Sequence, residues 1–255
     1  MTDIKQSFAW WAFGGRGVAA PEMLRAAREI GYSGVELIPQ ELWNAARDAG
    51  LRVVTHGGHA SIESGLNDPA QHDRIADEIE AALALAVKND IPNLIVFAGS
   101  RRAGLTEAEG AAHTANGLRR VARGAENAGV TLLLELLNSR RDHRGYQGDH
   151  TEWGAGVCEA VGSPRVKLLY DVYHMQIMEG DIINTITAHR VHIAHYHTAG
   201  VPGRRDLGDA QELNYPAIVR AIAGGGFDGY IGHEFMPMGE PVAALRAAFE
   251  LCAGA

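Results

Sequence analysis

Residues 106–137 have the sequence TEAEGAAHTANGLRRVARGAENAGVTLLLELL. The first part repeats apolar residues at intervals of three and four and has glutamates near its start, which predicts an amphipathic helix over residues 106–128. Gly129 follows, where a residue free to adopt positive φ can end the helix before the next strand. The apolar run from Thr131 predicts a buried strand over residues 131–136. The stretch therefore reads as one helix–strand repeat of an α/β fold.

The same alternation recurs along the whole chain. Candidate strands occupy residues 4–8, 34–37, 52–56, 93–97, 131–136, 166–171, 191–196 and 230–235. Eight strands, each followed by a helix, in a chain of 255 residues predict a single (β/α)₈ TIM barrel. A doubly wound sheet is the alternative. Such a sheet usually carries a phosphate-binding loop with the order G-x-G-x-x-G after its first strand, and Gly14, Gly15 and Gly17 do not follow this order.

Composition and charge narrow the class of protein. Hydrophobic residues make up 46% of the chain and charged residues 21%, typical of a folded globular protein. We expect one domain over residues 1–255, because no linker-like segment divides the chain. The net charge is −8 and no stripe of Lys and Arg occurs, so nucleic acid is not an expected partner.

Targeting signals and cysteine usage bear on location. No stretch approaches the ~20 apolar residues of a membrane span, and residues 1–13 do not have the pattern of a signal peptide. Cys158 and Cys252 stand far apart and outside any paired motif, as expected for reduced, buried thiols. Together these features favour a cytoplasmic protein.

Polar residues stand at the ends of five predicted strands: His56, Glu135, Asp171, His197 and Glu234. In a barrel these ends meet at one mouth, where TIM-barrel active sites lie. A carboxylate within an apolar strand, as in LLLELL at residues 132–137, is costly unless it is paired or binds a cation. Any one of these acids alone is more often a salt-bridge or capping residue.

The set Glu135, Asp171, His197 and Glu234 predicts a divalent metal site. Three carboxylates and one imidazole suit Mn²⁺ or Mg²⁺ best, with Co²⁺ or Zn²⁺ as alternatives. Other side chains are candidates for substrate contact, each with a purely structural alternative: His56, His174, Arg140, Arg204 and Trp10. The arginines lie in two aperiodic segments, residues 138–149 and 198–214, where a guanidinium could bind a substrate carboxylate. We expect His195, two residues before His197, to be a core residue.

Several motifs carry a family resemblance. They are VGSPRVKLLYDVYHMQIMEGD (residues 161–181), ELLNSR (135–140), AGVPGR (199–204), ELNYP (212–216) and GFDGYIGHEF (226–235). In order and spacing they resemble the hydroxypyruvate isomerase family of the xylose isomerase-like barrels. The resemblance implies that Glu135 and Glu234 bind the metal and act as the acid/base pair, that Asp171 is a ligand, and that the protein forms dimers or tetramers.

The chain departs from that family at three places. His197 stands where these isomerases often have Gln and where ketose 3-epimerases have His. Residues 205–211 replace a glycine-rich loop, and Leu136 occupies a position that is often Pro. These departures bear on substrate choice.

The leading hypothesis is a metal-dependent aldose–ketose isomerase that converts hydroxypyruvate, a short hydroxy-oxo acid, to tartronate semialdehyde. Such a reaction removes a proton α to a carbonyl and passes through a cis-enediolate that a metal stabilises. The first alternative is a ketose 3-epimerase using the same metal and glutamates. Two further alternatives are less favoured. An abasic-site endonuclease would need an Asp-x-His motif after residue 198, which is absent, and the net negative charge of the chain opposes DNA binding. The other alternative is a barrel that binds a ligand without catalysis.

Overall fold

The computed structural model describes residues 4–254, which form a closed parallel barrel surrounded by helices. The strands are β1 (Lys5–Ala9), β2 (Gly34–Glu36), β3 (Arg52–Gly57), β4 (Asn93–Val96), β5 (Thr131–Glu135), β6 (Val166–Asp171), β7 (Ile193–Thr198) and β8 (Tyr230–His233). They follow one another around the barrel in chain order. Closure is made by β1 and β8, where Ser7 pairs with Gly232. The predicted TIM barrel is confirmed.

Helices alternate with these strands. They are α1 (Trp10–Phe13), α2 (Ala20–Ile30), α3 (Trp43–Asp48), α4 (His72–Asn89), α5 (Glu107–Ala128), α6 (Thr151–Val161), α7 (Val172–Met178), α8 (Ile182–His189), α9 (Tyr215–Gly224) and α10 (Pro241–Ala253). Helix α5 starts with a capping box, in which Thr106 and Glu109 each satisfy a backbone N–H of the other. It ends at Gly129 with φ of 68°, as predicted.

Seven of the eight strands differ from the sequence-based prediction by one or two residues at one or both ends, and the differences at β7 and β8 bear on candidate site residues. β7 begins at Ile193 rather than at residue 191 and runs on to Thr198, so that His197 lies within the strand. Val191, which extended the predicted apolar run, is 64% exposed. β8 ends at His233, so Glu234 directly follows the strand instead of lying in it.

The described chain divides into two compact units by its internal contacts. One takes in the chain up to Val54, Ile182–Arg190 and the chain from His195 onward, and it holds β1, β2, β8 and most of β7. The other takes in Thr55–Asp181 and Val191–Ala194, with β4, β5 and β6. The single domain stays a prediction.

Both aperiodic segments lie where the sequence places them. Residues 138–149 follow β5 and residues 199–214 follow β7, and neither contains a helix or strand. Because both leave the carboxyl ends of strands, they lie on the face where TIM barrels carry their sites. Within residues 4–254, no helix has both the length and the apolar character that crossing a bilayer requires.

Candidate active site

His197 is held on both sides by carboxylates. Its Nδ1 lies 3.0 Å from Oε2 of Glu234, and its Nε2 lies 3.0 Å from Oε2 of Glu36. Since a carboxylate only accepts hydrogen bonds, each ring nitrogen carries a proton in this arrangement. Burial opposes the charged ring, but Glu234 and Glu36 raise the pKa of His197 well above its ordinary value.

Glu234 receives two further hydrogen bonds. The indole Nε1–H of Trp11 donates to Oε1 at 2.7 Å, and Nη2 of Arg204 donates to Oε2 at 2.5 Å. The Arg204 guanidinium also lies 5.1 Å from the centre of the Trp11 ring, which is within cation–π range. Burial opposes ionisation of Glu234, yet Arg204 and His197 bring its pKa below the ordinary value.

The backbone of the loop after β7 places Arg204 in this position. Arg204 has φ of 56°, in the left-handed region that side-chain-bearing residues seldom adopt, and Gly203 before it has φ of 92°. Such a conformation persists where surrounding contacts stabilise it, and it is frequent at binding sites. Here the ion pair with Glu234 and the stacking on Trp11 are those contacts.

Glu135 is the last residue of β5 and is only 6% exposed. Its backbone carbonyl accepts a hydrogen bond of 2.9 Å from the Tyr146 hydroxyl, which itself accepts one of 2.8 Å from the Ala98 N–H. Tyr146 therefore ties the end of β5 to the chain that follows β4. This anchor fixes the backbone from which the Glu135 carboxylate projects.

Asp171 ends β6 and caps α7. Its Oδ1 accepts hydrogen bonds from the backbone N–H groups of Tyr173 and His174. His174 is fully buried, and its Nδ1 accepts a hydrogen bond of 3.1 Å from the Asn138 N–H. The ring proton of His174 is therefore on Nε2. This Nε2 lies 3.6 Å from Oδ2 of Asp171. His174 therefore lies beside Asp171, and its contact with substrate stays a prediction.

The four predicted metal ligands come together. Glu135, Asp171, His197 and Glu234 are all buried, and each offers one ligand atom within 4.8 Å of the others. Three carboxylates and one imidazole form the donor set that hard and borderline divalent cations prefer. Like-charged carboxylates gathered in this way repel one another unless a cation or donors compensate them, so the residues present fit a divalent cation.

The remaining predicted contact residues lie in different surroundings. Arg140 is exposed and donates to the Ile177 carbonyl at 2.8 Å. His56 lines a cleft together with Glu78 and Leu85 of α4, and none of the four candidate ligands lines that cleft. Their substrate contact stays a prediction.

Of the two tryptophans after β1, Trp11 contacts Glu234, whereas Trp10, the predicted substrate-contact residue, packs in the core. α1 starts at Trp10, and the helical turn sends that ring into the core beside Phe8. Trp10 is 8% exposed, whereas Trp11 is 42% exposed. The tandem in the sequence does not show which ring faces the site.

Glu36 is a site residue that the sequence analysis missed. It lies in β2, is fully buried, and accepts hydrogen bonds from Ser7, His195 and His197. Burial opposes its charge, but the two histidines hold its pKa well below the ordinary value. The available signal was an acid within the apolar strand GVEL, the same signal that singled out Glu135. His195 is fully buried, in keeping with the predicted core position.

Comparison with known proteins gives the family. Residues 24–253 match the family model described as Xylose isomerase-like TIM barrel. The chain belongs to this family. The 2-oxo-tetronate isomerase of Cupriavidus necator is 34% identical, with 82% of this chain and 76% of that protein covered. The hydroxypyruvate isomerase of Escherichia coli is 30% identical, with 86% of this chain and 89% of that protein covered.

The fold also matches a solved structure. A family 2 AP endonuclease from Brucella melitensis superposes with a TM-score of 0.84 at 26% identity, covering 95% of this chain and 97% of that one. The resemblance to the hydroxypyruvate isomerase family within the xylose isomerase-like barrels is confirmed. The predicted enzyme class, an isomerase, is confirmed as well.

Proposed function

We propose that this isomerase interconverts hydroxypyruvate and tartronate semialdehyde with the help of a divalent cation. The observation that carries the proposal is the buried cluster of Glu135, Asp171, His197 and Glu234, with ligand atoms within 4.8 Å of one another. A short hydroxy-oxo acid as substrate is supported by relatives named hydroxypyruvate isomerase and 2-oxo-tetronate isomerase.

The same four residues would hold the cation, with Mn²⁺ or Mg²⁺ favoured over Co²⁺ and Zn²⁺ because three of the four donors are carboxylate oxygens. When bound, the cation supplies positive charge that stabilises negative charge on two adjacent substrate oxygens. His197 would give up the proton on Nδ1, since a ligating imidazole nitrogen must be unprotonated.

Glu135 and Glu234 are the proposed acid/base pair. One glutamate takes a proton from C3 of hydroxypyruvate, and the C–H electron pair forms the double bond of a cis-enediolate. The same or the opposite glutamate returns a proton at C2, while the hydroxyl proton moves from the C3 oxygen to the C2 oxygen. The product is tartronate semialdehyde, with no change in overall composition.

Arg204 is the proposed partner of the substrate carboxylate. It contacts Glu234 directly and can offer a planar pair of N–H donors, which suits a carboxylate. Arg140 is bonded to the Ile177 carbonyl instead. His174 is proposed to orient Asp171, and Trp11, rather than Trp10, to line the site beside Glu234.

C3 epimerisation of a ketose is the second candidate. The observation that favours it is His197 within the ligand cluster, because the resemblance implies His at this position in ketose 3-epimerases and often Gln in the isomerases. Both reactions need the same cation and the same two glutamates. An endonuclease is disfavoured by the net charge of −8.

A product survey separates the candidates. Mn²⁺-loaded protein is incubated separately with hydroxypyruvate, fructose, tagatose, psicose and an abasic-site oligonucleotide, and the products are identified by chromatography and NMR. We expect tartronate semialdehyde from hydroxypyruvate, and no product from the Glu135→Gln/Glu234→Gln double variant. Epimerised ketose without acid conversion would favour the second candidate, and binding without any product would indicate a non-catalytic barrel.

Location and assembly complete the proposal. Cys158 and Cys252 are buried free thiols, and burial raises the pKa of each to about 12, so both stay neutral and unreactive. This fits a reducing cytoplasm. We propose a dimer or tetramer on the resemblance alone, and light scattering after size-exclusion chromatography measures the assembly directly.

A further inference from the structure

Glu36 is at the centre of a hydrogen-bond network beneath the candidate metal site. The Ser7 hydroxyl donates to Oε1 at 2.5 Å, and Nε2 of His195 lies 3.0 Å from both carboxylate oxygens. Nε2 of His197 lies 3.0 Å from Oε2. Three donors from β1 and β7 therefore converge on a carboxylate of β2 that solvent does not reach.

The space around Glu36 is shaped for this carboxylate. β8 passes it at Gly232, where a Cβ atom would lie 2.2 Å from Oε1 of Glu36 and 2.9 Å from Cδ2 of His197. No side chain larger than hydrogen fits there without moving one of the two groups. The rings of His195 and His197 meet edge to face, with centroids 5.1 Å apart, which restricts them further.

The network selects which nitrogen of His197 can bind a cation. A carboxylate accepts hydrogen bonds and never donates, so Nε2 of His197 must carry a proton toward Glu36. Nδ1 is then the nitrogen that becomes a ligand, and it is the one that lies 3.0 Å from Glu234, a member of the ligand cluster. In metal sites, such a carboxylate behind a histidine fixes the tautomer and the ring orientation.

We propose that Glu36 is a positioning residue that holds His197 with Nδ1 toward the cation, and that Ser7 and His195 hold Glu36 for this task. The inference rests on the proposed metal-dependent function. Glu36, His195 and His197 could also be regarded as a second cation site, since their ligand atoms cluster too. The hydrogen-bonded arrangement argues against it, because the donors on Glu36 already occupy both of its oxygens.

The test measures Mn²⁺ affinity by EPR of the free ion, without using turnover. Glu36→Gln keeps the shape of the side chain but replaces one oxygen by an NH₂ donor, so that His197 no longer faces a pure acceptor. We expect Mn²⁺ to bind about 10–100-fold more weakly, the usual effect of losing such a partner. Two-dimensional ¹H–¹⁵N NMR of the Mg²⁺-loaded protein should show the proton of His197 on Nε2 in the wild type, and a mixture of tautomers in the variant.

Asp149→Asn is the matched control. Asp149 is a second buried carboxylate, paired with Arg101 and Ser139, so its loss lowers the melting temperature without changing Mn²⁺ affinity. Ser7→Ala, which removes one donor to Glu36, should weaken Mn²⁺ binding less than Glu36→Gln. If Glu36→Gln does not fold, Ser7→Ala carries the test alone.

The outcomes separate this inference from the proposed function. Failure of the wild type to bind Mn²⁺ overturns the proposed function and the inference with it. One tightly bound Mn²⁺ in the wild type, with equal affinity in Glu36→Gln and Ser7→Ala, overturns the positioning role alone. Two Mn²⁺ ions per chain, with one of them lost in His195→Gln, would show that Glu36 is itself a ligand and would also overturn it.

Discussion

Glu234 accepts hydrogen bonds from three side chains around the candidate site. Trp11, Arg204 and His197 all donate to it, and together they stabilise its negative charge inside the protein. A carboxylate held in this way can serve as a base only if its charge persists at neutral pH, and the lowered pKa of Glu234 meets this condition.

Glu234→Gln should abolish most of the activity. The amide can neither accept a substrate proton nor supply a full negative charge to a cation, so we expect kcat to fall by about 10²–10⁴-fold, the usual contribution of a general base. Steady-state kinetics on hydroxypyruvate measures this, with circular dichroism to verify folding. Glu80→Gln, on the exposed face of α4, is the control and should leave kcat unchanged. A folded Glu234→Gln protein with wild-type kcat would contradict the assignment.

Trp11→Phe tests the indole donor separately from the ring. Phenylalanine retains a ring beneath Arg204 but cannot donate to Oε1 of Glu234. A hydrogen bond to a charged group contributes about 1.5–3 kcal/mol, so we expect kcat/KM to fall by about tenfold or more. The melting temperature should fall as well, because this hydrogen bond also stabilises a buried charge in the folded protein.

Trp153→Phe is the control for that substitution. Trp153 also donates its indole N–H, in this case to the Glu107 carbonyl at 3.1 Å, away from the candidate ligands. Its replacement should leave kcat/KM unchanged. Equal losses in the two variants would show that the effect of Trp11→Phe is a general one and not a loss of support for Glu234.

Strand β8 leaves space for side chains of β2 and β7 at Gly232, which has no side chain of its own. Gly232→Ala should displace Glu36 or His197, because the new Cβ would lie 2.2 Å from Oε1 of Glu36. We expect a lower melting temperature and weaker Mn²⁺ binding, measured by thermal unfolding and EPR. Gly224→Ala, where nothing lies within 4 Å, is the control. Unchanged Mn²⁺ affinity in Gly232→Ala would show that the site tolerates the movement.

The barrel could be predicted from the sequence because its strands are short apolar runs and the apolar residues of its helices recur every three or four positions. The prediction was weakest at β7, where the strand continues through His195, His197 and Thr198. A barrel strand that carries site residues at its carboxyl end ends in polar side chains, and hydrophobic periodicity then fails there. Val191 is apolar yet exposed, and because it was counted in the apolar run, the predicted strand began two residues too early.

The candidate ligands could be found because each one lies at or next to the carboxyl end of a strand, and the barrel brings these ends together. Glu36 satisfied the same condition at the end of β2 and could have been found. The choice of Trp11 over Trp10 could not, since it depends on where the short helix α1 begins. The contact between Arg204 and Glu234 depends on a left-handed backbone that no local sequence pattern specified.

The stability of the folded protein should depend on pH through His59. Its Nε2 accepts the Phe97 N–H at 2.9 Å, and it lies near Glu78 and Arg74. Burial lowers its pKa to about 4, whereas an unfolded histidine titrates near 6.5. The stabilisation from a neutral His59 is therefore present above about pH 6.5 and is lost as the pH falls toward 4.

Urea unfolding at a series of pH values measures this effect. We expect the free energy of unfolding to fall through that window, with His59 contributing a slope of at most about 1.4 kcal/mol per pH unit. His59→Gln keeps an acceptor for the Phe97 N–H but cannot titrate, so its slope should be smaller by that amount. An identical slope in the two proteins would contradict the burial of a neutral ring at this position.

We propose that a pair of glutamates, with a cation held by four side chains, moves a proton between adjacent carbons of hydroxypyruvate. The most direct measurement is proton NMR of the reaction in D₂O, once with Mg²⁺ and once after complete chelation, with an enzyme-free sample as the blank. We expect tartronate semialdehyde and deuterium incorporation in the Mg²⁺ sample alone, and both should return when Mg²⁺ is added back to the chelated protein. Conversion that continues after chelation, or a Mg²⁺-loaded protein that yields neither product nor exchange above the blank, would contradict this proposal.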